Sequence, residues 1–265
     1  MRISLTPGGM ERLEARFHGH GFSPHRHDTY ALGLTLHGVQ TFRYRGSSRF
    51  SQPGNILVLH PDEVHDGAAG TEVGLIYRMV YLSPHVIGSA SHHRNSLPFV
   101  SDPIVKDKQL LQALADLLGD LEQQPTDLLM DDATMRIVSR LEAHAQHPSR
   151  PLRASAQKAV QLARDFLDSH ADRLVRSTDL EAATGLDRYE LARQFRRLTG
   201  TSPHRYVIMR RLERAKSLII DGLSLADIAF SVGFADQAHF TRHFRRAFGM
   251  TPGRWSTLIR QAGRI

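Results

Sequence analysis

Arginine is the residue type whose spacing carries the clearest chemistry in this 265-residue chain. Arg193, Phe195, Arg196, Arg197, Gly200 and Pro203 recur as Arg242, Phe244, Arg245, Arg246, Gly249 and Pro252, each pair 49 positions apart. Upstream the offset is 48, with Leu180 matching Ile228 and Gly185 matching Gly233, so the second copy holds one extra residue. At about 100° per residue, Leu191, Phe195 and Leu198 share one helix face, and Tyr189, Arg193, Arg196 and Arg197 lie opposite. In the second copy Phe240, Phe244 and Ala247 point inward, while Ala238, Arg242, Arg245 and Arg246 point outward. A guanidinium on such a face can bond a guanine edge bidentately, and arginines near the helix end can reach phosphates. A single arginine-rich face is an ordinary solvated surface. Its duplication, with turn glycines between helices, is the helix-turn-helix pattern and points to double-stranded DNA.

The charge distribution supports that partner. Residues 151–265 hold 20 Lys+Arg against 11 Asp+Glu, whereas residues 1–150 hold 14 against 16. The whole excess behind the formal charge of +7 therefore sits with the duplicated helices. With no cysteine, thiolate zinc sites, disulfides and cysteine nucleophiles are excluded. No apolar leader or spanning stretch is present, so the expectation is a soluble, cytoplasmic protein without a membrane partner.

The elements that must position these residues follow from periodicity. From about Phe17 to Leu82, short β-branched and aromatic segments punctuated by Gly and Pro predict antiparallel strands at Tyr30–Leu36, Gln40–Tyr44, Asn55–Leu59 and Gly74–Leu82. Helices are predicted at Asp107–Gln123 and Asp127–His144. Two prolines and the change in charge mark a linker over 146–154, dividing the chain into domains 1–145 and 155–265. Every later segment reads as helix, including His204–Asp221 between the two repeat units. The fold class is thus α+β: an N-terminal β-barrel with appended helices, then an all-α domain of two helix-turn-helix units.

Two further features of the N-terminal half bear on function. Arg43, Tyr44, Arg45, Tyr77, Arg78 and Tyr81 lie on predicted strands, where side chains alternate faces, so about half should point inward. An inward arginine would suit an anionic effector; an outward one is a solvated strand residue. Leu110, Leu114, Leu117 and Leu121 form a helical stripe that either packs on the barrel or makes a homodimer contact.

The segment from Ser224 to Pro252, with Gly233-Phe-Ala-Asp-Gln-Ala-His-Phe240 and Arg242-His-Phe-Arg-Arg246, resembles the hallmark of the AraC/XylS-type transcription regulators. Residues 185–203 are similar at a looser level. The resemblance implies two recognition helices in successive major-groove segments. By matched position, it implies base-facing roles for Tyr189, Ala192, Arg193, Gln237, Ala238, Thr241 and Arg242, with Arg196, Arg197, Arg245 and Arg246 placed for backbone contact. The stretch His25-Arg-His-Asp-Thr-Tyr30, Pro53-Gly54 and His60-Pro-Asp-Glu-Val-His65 resembles that family's cupin-like effector-binding domain. His25, His27 and His65 match the imidazoles of metal-binding cupins, but the carboxylate position is Ala31. Three imidazoles with open positions can hold zinc or iron, or they can bond backbone and line a pocket.

The reading that follows is a transcription regulator, with activator and repressor both open, and an effector bound by His25, His27, Tyr30, His65, Arg43 and Arg78. No catalytic residue, metal or cofactor is expected. The partners are DNA, a small molecule, a second copy of the chain and RNA polymerase. The alternatives are a cupin-type metalloenzyme fused to a DNA-binding domain, and an effector-independent regulator whose β-domain only dimerises.

Overall fold

The computed structural model describes residues 1–6, 10–91, 97–145 and 153–262, so nearly all of the expected 146–154 linker lies outside the described residues. The strands are β1 (Arg2–Leu5), β2 (Glu11–Phe17), β3 (His20–His25), β4 (Tyr30–His37), β5 (Gln40–Tyr44), β6 (Ser47–Ser51), β7 (Ile56–Leu59), β8 (His65–Ala69), β9 (Leu75–Leu82) and β10 (Ile104–Val105). They form two antiparallel sheets, ordered β1-β2-β9-β4-β7-β10 and β3-β8-β5-β6. Strands therefore begin well before Phe17. Among the described residues no ladder joins the sheets, so the expected barrel takes the open, double-sheet form of a cupin-like jelly roll.

The inner core draws on both sheets, with Leu13, Phe42, Leu59, Tyr77 and Met79 packed together. The larger sheet is also covered on its outer face by α1 (Pro84–Ala90), α2 (Lys108–Leu118) and α3 (Asp127–His144). Burial on two faces explains why β4 is buried continuously from Tyr30 to Thr35: Ala31 faces the inner core, while Tyr30, Leu32 and Leu34 join the helices. Gly33 is required there, because a Cβ would lie 2.0 Å from the Met79 sulfur.

The helix α2 stops at Leu118, five residues short of the expected end. Its terminal carbonyls have other partners. Arg12, 1% exposed, donates to the carbonyls of Leu117 and Asp120 at 3.1 Å each, and to that of Gln123 at 2.9 Å. Arg78 donates to those of Leu118 and Gly119. Two cations at a helix C-terminus satisfy orphan acceptors and complement its dipole. Leu110, Leu114 and Leu117 are 0% exposed in a core shared with β4, β9 and α3. The stripe is thus intrachain core, and the expected dimer contact along it is corrected.

The C-terminal half consists of α4 (Ala154–Ser169), α5 (Ser177–Thr184), α6 (Arg188–Thr199), α7 (Pro203–Ile220), α8 (Leu225–Ser231), α9 (Gln237–Phe248) and α10 (Pro252–Ala262). The 49-residue repeat reappears as matched caps. Asp187 and Asp236 accept the first amides of α6 and α9. Gly200 and Gly249 end those helices at φ of 73° and 69°, in the left-handed region that glycine adopts without a Cβ penalty. Ser202 and Thr251 then start α7 and α10 ahead of a proline in each case. Each unit has its own core, around Phe195 in the first and around Phe240, Phe244 and Trp255 in the second, and α7 contributes to both.

Replacing Leu114 with Ala should cost about 2–5 kcal/mol of folding stability, the usual range for a buried leucine. Urea unfolding measures the loss. Light scattering should show an unchanged oligomeric state, and a leucine variant that stays stable but becomes monomeric would restore the interface reading.

Candidate nucleic-acid interface and interdomain cavity

The recognition helices present what their patterning promised in position. Capped by Asp187, α6 exposes Tyr189 at 74%, together with Arg193, Arg196 and Arg197. The helix α9 exposes Gln237, Ala238, Arg242, Arg245 and Arg246, while Ala192 and Thr241 are half-buried. One of these charges is held within the chain: Arg193 pairs with Glu190, which also accepts from Gln194, and at the start of the same helix Arg188 contacts Glu181 at 3.0 Å. Gln194 and Arg193 accordingly hold the Glu190 carboxyl below its usual range. The array can act as a phosphate- and base-edge-binding surface.

Both recognition units abut the β-domain at their C-caps. A Cβ on Gly200 would lie 2.7 Å from Pro61, and one on Gly249 would lie 3.1 Å from Phe22 and 3.2 Å from the Ser23 carbonyl. The Arg26 amide donates to the Arg246 carbonyl at 3.0 Å, adding one bond of backbone pairing between β3 and the end of α9. From α7, Arg210 reaches Asp28 at 2.7 Å, Arg205 reaches Asp62 at 3.5 Å and donates to the Arg26 carbonyl, and Lys216 bonds Glu11. Lys216 is 6% exposed; burial opposes its charge, but Glu213 and Glu11 outweigh that and raise its pKa. Sequence reasoning did not single out these residues. The available signal was Arg205, Arg210 and Lys216 recurring within a helix otherwise rich in apolar residues.

Between the domains lies a cavity of about 1010 Å³. Its floor is the inner core of the sandwich, including Phe42, Tyr77 and Met79; its roof is Met209, Arg210, Glu213, Phe248 and Trp255 from the helical domain. His25, His27 and His65 come together in its wall. His25 and His65 have ring centres 4.3 Å apart, His27 and His65 4.9 Å, and His25 and His27 6.3 Å. Their backbone anchors are alike. Each Nδ1 contacts a carbonyl two residues away: Ser23 at 2.8 Å, Thr29 at 2.9 Å and Glu63 at 3.0 Å respectively. A carbonyl only accepts, so each Nδ1 carries the hydrogen and each Nε2 of a neutral ring is left as an acceptor. Burial lowers all three pKa values, that of His25 to about 3, and the neighbouring His65 depresses His25 and His27 further.

The remaining expected effector residues lie elsewhere. Tyr30 points to the helical side of the sheet and donates to the Pro98 carbonyl at 2.9 Å. Arg43 is exposed, its side chain on the outer side of β5. Arg78 pairs with Glu14 at 2.7 Å and caps α2. Alternation along each strand decides these outcomes, and one step of register separates cavity from exterior. The position expected for a cupin carboxylate, Ala31, is 0% exposed in the inner core. Among the described residues no group of three or more His, Asp or Glu side chains is placed to hold a metal ion. None of the helices among them is long and apolar enough to cross a membrane.

A two-sheet ligand-binding domain joined to paired helix-turn-helix units defines a class of DNA-binding regulator, and comparison with known proteins agrees. Residues 7–138 match the model of the AraC-like ligand binding domain, and residues 180–257 match a helix-turn-helix domain model. The chain belongs to the AraC family of transcription regulators. It is 26% identical over 225 residues to the uncharacterized HTH-type transcriptional regulator YbfI of Bacillus subtilis, covering 82% of this chain and 81% of YbfI. It is 25% identical over 252 residues to the HTH-type transcriptional activator RhaS of Escherichia coli, covering 91% and 89%. The solved structure of ToxT from Vibrio cholerae superposes with a TM-score of 0.69 at 14% identity, covering 94% of this chain and 98% of ToxT.

The neutral imidazoles carry a pH signature. Their folded pKa values lie below the unfolded value of about 6.5, so below that pH the unfolded chain binds more protons and stability falls. Between pH 6.5 and 5, above the carboxylate range, His25, whose pKa is lowered to about 3, should approach a loss of about 1.4 kcal/mol per pH unit, with His27 and His65 adding in the same direction. Urea unfolding at several pH values tests this, and His27→Leu should give a shallower slope.

Proposed function

We propose that this regulator is controlled by a small molecule that fills the interdomain cavity, and that α6 and α9 read DNA through the residues named above. The observation that carries the reading is the composition of the cavity wall, which draws on both domains. A ligand there touches α7, the helix joining the two recognition units, and so acquires different affinities for arrangements in which the domains sit differently. That difference is what allosteric control requires. ToxT, which shares the fold, has been solved with an unsaturated fatty acid and with a naphthalenyl-butenoic acid. Small-molecule occupancy in this architecture supports the reading, and the chemistry of the occupant is specific to each chain's wall.

The proposal includes domains at 1–145 and 155–265, a homodimer that presents two DNA-binding domains to paired half-sites, contact with RNA polymerase at the promoter, and a cytoplasmic location beside the DNA. It assigns no catalysis, because the cupin carboxylate position is the apolar Ala31, which leaves the ligand set incomplete. Arg193 and Arg242 are assigned to base edges, and Arg196 and Arg245 to phosphates.

DNA sites selected from random sequence with the full-length protein supply the test. Arg193→Ala or Arg242→Ala should cost about 1–3 kcal/mol on the selected site and relax preference at one base pair. Arg196→Ala or Arg245→Ala should weaken all sequences alike and flatten the log–log salt slope by about one contact, roughly 0.9. A flat salt dependence for the unmodified protein would remove DNA recognition from these faces.

A further inference from the structure

Around the three imidazoles the cavity wall is rich in acceptors. The Nε2 atoms of His25, His27 and His65 carry lone pairs, because each Nδ1 hydrogen is already given to a carbonyl. His27 is 6% exposed, and its Nε2 has no hydrogen-bond partner; the same holds for Oε1 of Gln40, also 6% exposed and also in the wall. Buried acceptors without donors are rare, and a ligand that donates is the direct remedy.

Charge points the same way. The lining side chains include five carboxylates, Glu11, Asp28, Asp66, Asp131 and Glu213, against two guanidinium groups, Arg164 and Arg210. Arg210 is held by Asp28 at 2.7 Å, and Lys216, just behind the wall, is held by Glu11 and by Glu213 at 3.4 Å. An incoming carboxylate therefore meets acceptors and carboxylates around the imidazoles, where Arg210 is already paired with Asp28 and Lys216 with Glu11. Glu213 lines the cavity and keeps 43% of its side-chain surface accessible. Its surroundings disfavour the ionised form, which a bound cation would restore. Tyr81 also lines the cavity, its ring 5.3 Å from His27 and its backbone paired with Glu11, the residue that shares Lys216 with Glu213. Its face, with those of Phe42 and Tyr77, suits the body of an organic cation.

We propose that the effector is an apolar or aromatic amine or amidine, whose cationic nitrogen donates to the imidazole Nε2 atoms and faces Glu213. This rests on the cavity being the effector site and adds the chemical class of the occupant. Trp255, the single tryptophan of the chain, is in the cavity wall and reports occupancy by its fluorescence.

The experiment titrates the full-length protein with octylamine, octanoate and octan-1-ol, each below its micelle concentration, and follows Trp255 emission and thermal shift. Octylamine should bind saturably, at least tenfold tighter than octanoate, with octanol between them. His27→Leu should weaken octylamine at least fivefold while leaving octanol unchanged. The near-isosteric Glu213→Gln should narrow the gap between amine and carboxylate even if the histidine variant fails to fold. Octanoate binding as tightly as octylamine would overturn the amine assignment and leave the cavity reading standing. A Trp255 response to none of the three would overturn both. Stoichiometric zinc binding lost in His27→Leu would assign the imidazoles to a metal and also overturn the amine assignment.

Discussion

The structure depends on α7 being held from two sides. Its apolar residues complete the cores of both helix-turn-helix units, and its cations, Arg205, Arg210 and Lys216, are held by Asp62, Asp28 and Glu11 of the β-domain. Lys216 and Arg205 are nearly inaccessible while their partners Glu11 and Asp62 belong to the β-domain, so these largely desolvated pairs form only when the two domains are apposed. The position of the β-domain is thereby coupled to the helix that spaces the two recognition elements.

The cavity is a consequence of that arrangement. The sandwich leaves its inner face open at one end, and the roof comes from α7, α9 and α10. The three histidines reach the wall from β3, the turn after it and β8, where His25 and His65 are direct cross-strand partners. Their shared pattern, Nδ1 to backbone and Nε2 inward, makes neutral acceptors out of residues that are ordinarily switchable near neutral pH. That part of the wall thus keeps its acceptor character across the neutral pH range.

Duplication served two purposes. The helix caps repeat because each unit must start and stop its recognition helix at the same relative position, and Asp187 with Gly200 corresponds to Asp236 with Gly249. The same glycines also lie against the β-domain, at Pro61 and at His25 and Phe22. A residue that reads in sequence as a backbone punctuation mark therefore has a second role that only packing creates.

Local chemistry determined much of this protein without help from tertiary context. The repeat, the caps, the outward arginines and the strand and helix classes are all short-range or periodic, and periodicity of 2 or 3.6 is visible in a one-dimensional string. The three histidines were also legible as a group through their resemblance to a known pattern. What the tertiary structure decided was which partner each side chain meets. Arg78 could not be told from an effector ligand, because strand alternation leaves the choice of face to the sheet's register, and that choice gave it to Glu14 and the end of α2. The leucine stripe of α2 looked the same whether it packed on its own sheet or on another chain, since hydrophobic burial has no direction. The contacts between Arg210 and Asp28 or Lys216 and Glu11 join residues some two hundred positions apart, and nothing local to either member of a pair specifies the other.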